Sequence, residues 1–187
     1  EFFNVMPIEL AKSLVEGFIP NEEIRQELLA ATRRTKWNEL LLFEKESADL
    51  LDATLDMDEE AVAESIEKIH MEYVSSIQYN DENSLSSVLS IAYLSTLRYY
   101  FKPIRELPAG RGFADFVFIP KPEYVEYYPA LLIELKWNKN AKTALQQIKE
   151  RKYPSALLQY TGNILLVGIN YNKKTKVHEC KIEEFVK

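Results

Sequence analysis

Two ionisable residues interrupt an apolar run at residues 130–137, where the sequence reads ALLIELKW. The run has the length and composition of a β-strand that is buried on both faces. Glu134 and Lys136 are two residues apart, so their side chains lie on the same face of that strand. Burial of such a pair requires desolvation of both charges, and protein cores usually avoid it unless the pair serves a function.

A second isolated carboxylate occurs in the preceding predicted strand. Asp115 lies within FADFVFIP at residues 113–120, and glycines just before it permit a tight turn. Two carboxylates and a lysine suit metal-assisted hydrolysis of a phosphodiester. The acids bind Mg²⁺ through oxygen atoms, the metal polarises the phosphate and acidifies a bound water, and the lysine orients that water. The simpler interpretation is a structural charge cluster, and these residues alone favour it.

The C-terminal half of the chain reads as strands around one helix. The apolar segment at 163–171 predicts a third strand, and residues 176–182 predict an edge strand. Between the second and third strands, residues 141–160 have helical spacing, with Pro154 expected to break or kink the helix near Tyr153. This order predicts an α/β fold with a mixed sheet flanked by helices.

The first hundred residues read as helices. A short helix is expected at about 7–18, and Asn21 is a favourable N-cap for a second one. Residues 37–55 and 58–77 repeat the i, i+3, i+4 apolar spacing of amphipathic helices. A further helix, nearly apolar throughout, is expected over about 83–101.

The two halves of the sequence have net charges of opposite sign. The net charge is −6, but residues 1–97 contain 7 basic and 20 acidic residues, whereas 98–187 contain 16 and 9. A basic half is what a phosphate backbone attracts. We expect the basic face of residues 98–187 to surround the cleft that contains Glu134.

Other features narrow the class of protein. The single cysteine, Cys180, excludes a disulfide within the chain and fits a reducing, cytoplasmic compartment. The sequence has no apolar run of about 18 residues, so no membrane span is predicted. His70 and His178 lie far apart in different contexts, so no zinc site is predicted. The chain begins at Glu1 rather than methionine, so we expect it to be a piece of a longer protein or a trimmed form of one.

Several short patterns resemble those of the PD-(D/E)XK nuclease superfamily. Asp115 matches the first acid of its core, and Glu134-Leu135-Lys136 matches the catalytic strand, followed by a helix with Gln147. The resemblance is closer to the branch found C-terminal to bacterial AAA-ATPase-like domains. Four more segments match that branch: PNEEI at 20–24, DEN at 81–83, GRGFADFVF at 110–118 and ALQQIKERKY at 144–153.

This resemblance implies a fold, an activity and partners. The fold would be restriction-endonuclease-like over residues 80–187, preceded by a helical extension at 1–79 that ends or links the ATPase-like region. The activity would be hydrolysis of phosphodiester bonds, expected in DNA, with Mg²⁺ or Mn²⁺ as cofactor. The partners would be nucleic acid and the ATPase-like domain of the same protein.

The resemblance also assigns roles to site residues. Asp115, Glu134 and the carbonyl group of Leu135 would bind the metal, and Lys136 would position the attacking water. Gln147 lies either on a solvated helix face or near the scissile phosphate.

Two further acids have alternative interpretations. Glu82 is either a supporting acid of the metal site or a first-turn acid that stabilises its helix. Glu106, just before the glycine turn, is expected to be a surface acid, with entry into the site as the alternative.

A rival interpretation is a protein that has the nuclease fold but no nuclease activity. The chain would then be an inactive module that binds nucleic acid or a protein and regulates the ATPase-like domain. The enzyme is favoured because Asp115, Glu134 and Lys136 are all present.

Overall fold

The computed structural model describes residues 37–73, 81–109, 112–150, 157 and 160–185. The helices predicted at 7–18 and after Asn21 lie outside these residues, as does Pro154. The predicted boundary between residues 79 and 80 also lies outside them, so the division into two domains stays a prediction.

A mixed sheet of five strands forms the centre of the fold, in the order β1-β2-β3-β4-β5. The strands are β1 (Ile104–Ala109), β2 (Gly112–Phe118), β3 (Ala130–Trp137), β4 (Ile164–Asn172) and β5 (Val177–Glu184). Strands β3 and β4 are parallel, and all other neighbours are antiparallel. The predicted α/β fold with a mixed, helix-flanked sheet is confirmed.

Four α-helices flank the sheet within the described residues: α1 (Trp37–Leu55), α2 (Glu59–Tyr73), α3 (Glu82–Ala92) and α4 (Ala141–Glu150). Apolar residues of α1, α2 and α3 form one buried cluster with one face of the sheet. Leu145 and Ile148 of α4 belong to a second cluster, which includes Val117 and Leu132 from the other face. Side chains alternate along a strand, so Glu134 and Lys136 share the α4 face with Leu132.

The helix predicted over 83–101 ends earlier than the apolar pattern indicates. Helix α3 stops at Ala92, and a separate 3₁₀ helix spans Leu94–Arg98. The interruption coincides with contacts to α1, because Ser95 donates from its amide to Ser47 Oγ and from its hydroxyl to Ser47 O, both at 2.8 Å. These tertiary hydrogen bonds hold the backbone of Ser95 outside the helix.

Strand β1 is an element that the sequence pattern did not reveal. It contains Pro108, which pairs with Phe113 of β2, and proline is accepted in a sheet only at edges and bulges. In the sheet order β1 is an edge strand. Its short length and its proline explain why periodicity gave no signal.

Helix α2 covers the outer edge of β5. Glu59 Oε1 accepts a hydrogen bond from the Ile182 amide at 3.0 Å, and Glu67 Oε2 accepts one from the His178 amide at 3.5 Å. Glu59 also pairs with the ammonium group of Lys181. Carboxylates from a helix thus satisfy backbone amides of an edge strand.

The same packing brings two histidines into contact. The ring centroids of His70 on α2 and His178 on β5 lie 5.4 Å apart, and Tyr171 packs against both rings. The interpretation that the two histidines are far apart is therefore wrong. Burial lowers the pKa of His70 to about 4 and that of His178 to about 3, so both rings are neutral near pH 7.

Helix α4 lies directly on β4 at Gly168. A Cβ at this position would lie 2.5 Å from Ala141 O and 3.0 Å from Ala144 Cβ. Only glycine permits this approach, which sets the distance of α4 from the sheet.

We expect Gly168→Ala to lower the free energy of unfolding by about 1–3 kcal/mol, the usual range for overpacking. The Cβ would meet backbone of α4, so the helix must move. Gly162→Ala is the control, because the three atoms nearest to its Cβ would all belong to the Tyr160 side chain and not to backbone. Urea denaturation measures both variants, and a Gly168 variant no less stable than the Gly162 variant would contradict the expectation.

None of the helices in the described part of the chain combines the length and apolarity that a membrane crossing needs.

Candidate active site

Strands β2 and β3 bring two predicted site acids together. Their register pairs Phe116 with Ile133, and one further step along it sets Asp115 opposite Glu134. Directly opposed residues of antiparallel strands share a face and are close neighbours. Instead of a backbone bond at this point, Asp115 Oδ2 accepts a hydrogen bond from the Leu135 amide at 2.7 Å. The side chain of Asp115 is thereby fixed against the backbone of Leu135, between Glu134 and Lys136.

The ammonium group of Lys136 lies beside the same carboxylate. Lys136 Nζ is 2.8 Å from Glu134 Oε1 and 2.7 Å from Leu135 O, and only 4% of the residue is exposed. These oxygens belong to two of the three predicted metal ligands. In this state the lysine therefore supplies the positive charge that a metal would bring to them.

Helix α4 adds Gln147 to the cluster. Gln147 is half-buried, and its Nε2 donates a hydrogen bond to Glu134 Oε1. Leu145 and Ile148 bury the adjoining faces of the helix, which fixes its rotation. Of the two interpretations of Gln147, the structure favours a position next to the carboxylates over a fully solvated one.

The second oxygen of Glu134 has an unusual environment. Glu134 Oε2 is buried and has no hydrogen-bond partner among the described residues. A buried polar atom without a partner costs about 1–3 kcal/mol, and a charged one costs more. Such an oxygen is a suitable ligand for a hard divalent cation.

The donor set suits Mg²⁺ or Mn²⁺ better than zinc. Within the described segments, no three His, Cys, Asp or Glu side chains converge as a metal site. Mg²⁺ does not need three, because it keeps several waters and usually binds through one or two carboxylates and substrate phosphates. Asp115 and Glu134 supply two carboxylates, and the Leu135 carbonyl lies beside them.

Burial and mutual repulsion change the titration of both acids. Burial raises the pKa of Glu134 to about 7, and the charge of Asp115 adds to this rise, whereas Lys136 opposes it. Burial also raises the pKa of Asp115, against the hydrogen bond from the Leu135 amide. Perturbed carboxylates of this kind are concentrated at functional sites.

The raised pKa of Glu134 makes stability depend on pH and would couple the binding of a metal ion to pH. A carboxyl group whose pKa is higher in the folded state loses stabilisation as pH rises from about 4.5 to about 7. A metal must displace that proton below pH 7 but not above it. We therefore expect the rise in Tm caused by Mn²⁺ to be larger at pH 8 than at pH 6.

The comparison should be made as the difference in Tm with and without Mn²⁺ at each pH. This difference removes the separate contribution of His70 and His178, whose lowered pKa values destabilise the protein in acid with or without metal. An increment that is equal at both pH values would contradict the coupling.

Glu82 and Glu106 lie nearby but are exposed. Glu82 is the first residue of α3, whose N-cap Asp81 accepts a hydrogen bond from the Ser84 amide at 2.9 Å. The charge of Glu82 raises the pKa of both site acids, so it lies within electrostatic range of them. The charge of Glu106 also raises the pKa of Asp115, although its own side chain is exposed, as expected of a surface acid.

Sequence reasoning missed two residues that support the site. In the parallel register, Gly168 is the β4 partner of Glu134, and Asn170 is the partner of Lys136. Asn170 is fully buried, accepts a hydrogen bond from the Lys139 amide at 3.0 Å and donates one to Lys139 O at 3.2 Å. The available signal was a lone glycine and a lone amide within the apolar sequence ILLVGINY.

A family profile described as the PD-(D/E)XK nuclease superfamily matches residues 80–181. No individual curated protein matches the sequence. The matched region makes up more than half of the chain and includes Asp115, Glu134 and Lys136. Its extent, together with the mixed sheet on which these residues meet, shows that the chain belongs to the PD-(D/E)XK nuclease superfamily.

Proposed function

We propose that the protein is a Mg²⁺- or Mn²⁺-dependent nuclease that hydrolyses phosphodiester bonds in DNA. The observation that carries the proposal is the buried carboxylate of Glu134, with one oxygen unpartnered among the described residues and an ammonium group beside the other. Asp115, Glu134 and the Leu135 carbonyl would hold the ion. A bound divalent ion would polarise the scissile phosphate and lower the pKa of a coordinated water.

Protein groups would supply orientation and charge. Lys136 would release Leu135 O when the ion binds, and its ammonium group would then orient the attacking water and balance charge on the phosphoryl oxygens. Gln147, which now donates to Glu134, would hold that carboxylate in place. Glu82 would add negative charge that favours cation binding, since its effect on both acids is electrostatic.

A non-catalytic regulator of an ATPase-like domain is the alternative that the fold allows. Such a module would need the fold and a binding surface but no catalytic lysine. The buried position of Lys136 against Glu134 argues for the enzyme, because a buried ion pair is seldom kept for stability alone. We propose the ATPase-like domain of a bacterial protein as the partner in either case.

Cleavage assays with the full chain test the proposal. Supercoiled plasmid and labelled single- and double-stranded DNA and RNA oligonucleotides would each be incubated with Mg²⁺, Mn²⁺ or EDTA. We expect metal-dependent cleavage of DNA that EDTA abolishes. If no nucleic acid is cut with either metal although nucleic acid binds, the regulator replaces the nuclease as the proposed function.

A further inference from the structure

Two lysine-containing segments meet at the end of the sheet just beyond Lys136. One follows β3 at residues 138–142, and the other is the β4–β5 turn at 172–177. Neither segment contains an aspartate or a glutamate. Four exposed lysines define what we call the lysine surface: Lys139, Lys142, Lys174 and Lys176.

Hydrogen bonds join the two segments. Asn138 Oδ1 accepts from the Lys173 amide at 2.8 Å, and the Asn138 amide donates to Tyr171 O at 2.8 Å. The buried side chain of Asn170 holds both backbone groups of Lys139. The lysines therefore lie on one connected surface although about 35 residues separate the segments.

Asparagine side chains also order each segment internally. Asn172 Oδ1 accepts from the amides of Lys174 at 3.0 Å and Thr175 at 3.3 Å, which fixes the turn. Asn140 Oδ1 accepts from the Thr143 amide at 2.8 Å at the start of α4. The backbone that carries the lysines is thus ordered by the protein itself, so binding a polyanion would require little further ordering.

The ammonium groups of the lysine surface are available to a ligand. Within the described residues, none of the four forms an ion pair or a side-chain hydrogen bond. Glu59, Glu60 and Glu179 line a cavity together with Lys142. Glu179 is directed to the Ala141 amide and to Asn170 Nδ2, both at 3.4 Å, and Glu59 is paired with Lys181. Lysines elsewhere, such as Lys68 and Lys149, are instead paired with glutamates.

From these observations we infer that the lysine surface binds the phosphate backbone of a nucleic acid, to one side of the bond that the proposed site would cleave. The inference rests on the proposed function. Lys139 is five residues beyond Glu134, so at most about 17 Å of chain separates them. That limit corresponds to about five base pairs along one strand of a duplex. Backbone contacts at this distance would position the substrate without reading its sequence.

Two double variants test the inference, Lys139→Gln/Lys142→Gln and Lys174→Gln/Lys176→Gln. A third, Lys45→Gln/Lys102→Gln, is the matched control, because it removes the same charge from exposed sites on α1 and before β1. Fluorescence anisotropy would measure binding of a 30-base-pair duplex and its single strand in EDTA, which prevents cleavage. Salt would be varied, and Tm would confirm that each variant is folded.

We expect each lysine-surface variant to reduce the salt slope of duplex binding by about 1 to 2, since each phosphate contact contributes about 0.9. The control should keep the slope of the wild type, and unrelated duplex sequences should give the same result. Wild-type slopes in both lysine-surface variants, or an equal loss in the control, would overturn the inference and leave the proposed nuclease intact. A wild type that binds no nucleic acid at low salt would also overturn the inference, whereas the proposed nuclease would still be decided by cleavage with Mg²⁺ or Mn²⁺.

Discussion

Glu134→Gln is expected to abolish both stabilisation by Mn²⁺ and cleavage of DNA, while the protein stays folded. The amide has nearly the shape of the carboxylate and can still accept hydrogen bonds from Lys136 and Gln147. It replaces one carboxylate oxygen by a hydrogen-bond donor and removes the charge that a cation needs. A metal contributes several kcal/mol to transition-state stabilisation, so we expect cleavage to fall by at least about 10³-fold.

The measurements are the Tm increment with Mn²⁺ and the initial rate of cleavage. Glu123→Gln is a suitable control because it removes one exposed carboxylate from the 3₁₀ turn at Pro122–Tyr124. This variant should retain the increment and the rate. A folded Glu134→Gln protein with a wild-type response to Mn²⁺ would show that the ion binds elsewhere.

Lys136→Met should separate metal binding from catalysis. The substitution removes an ammonium group that now contacts Glu134 Oε1 and Leu135 O, so the cation loses a competitor for these oxygens. We expect Mn²⁺ to bind at least as tightly as in the wild type. Cleavage should nevertheless fall by about 10²-fold or more, as is usual for loss of one preorganised electrostatic group.

This pattern would not arise if Lys136 were only a structural counter-ion. The variant would then lose stability, because Glu134 is left buried without its partner, and its specific activity per folded molecule would not change. Titration with Mn²⁺, circular dichroism and initial rates together distinguish the two roles. Lys45→Met, on the exposed side of α1, controls for loss of a positive charge. Wild-type cleavage by folded Lys136→Met would remove this lysine from the mechanism.

The sequence predicts those helices and strands whose apolar spacing is regular over their whole length. Strand β3 follows from a mainly apolar run, and β5 from alternation, which agrees with its alternating burial along Val177–Glu184. The early end of α3 could not be predicted, because it depends on a hydrogen bond from the Ser95 amide to Ser47, which lies 48 residues away in the sequence. Strand β1 could not be predicted either, because Pro108 is acceptable only at an edge that the tertiary fold creates.

The candidate site likewise has a part that the sequence predicts and a part that depends on tertiary packing. Two acids in successive strands with lysine two residues beyond the second are visible in the sequence, because strand periodicity places them on one face. The contact of Gln147 with Glu134 depends on how closely α4 approaches Gly168, which periodicity does not specify. The contact between His70 and His178 depends on the docking of a helix onto a strand, which sequence distance concealed.

The covered edge of β5 has a consequence for aggregation. An exposed strand edge is a template onto which another copy of the chain can add by backbone pairing. Here Glu59 and Glu67 occupy amides of Ile182 and His178 and hold negative charge along that edge. A fragment that begins at residue 80 would lack both glutamates and would expose the apolar side of β5. Helix α2 therefore prevents the edge of β5 from pairing with a strand of another molecule. We expect the shortened fragment to self-associate.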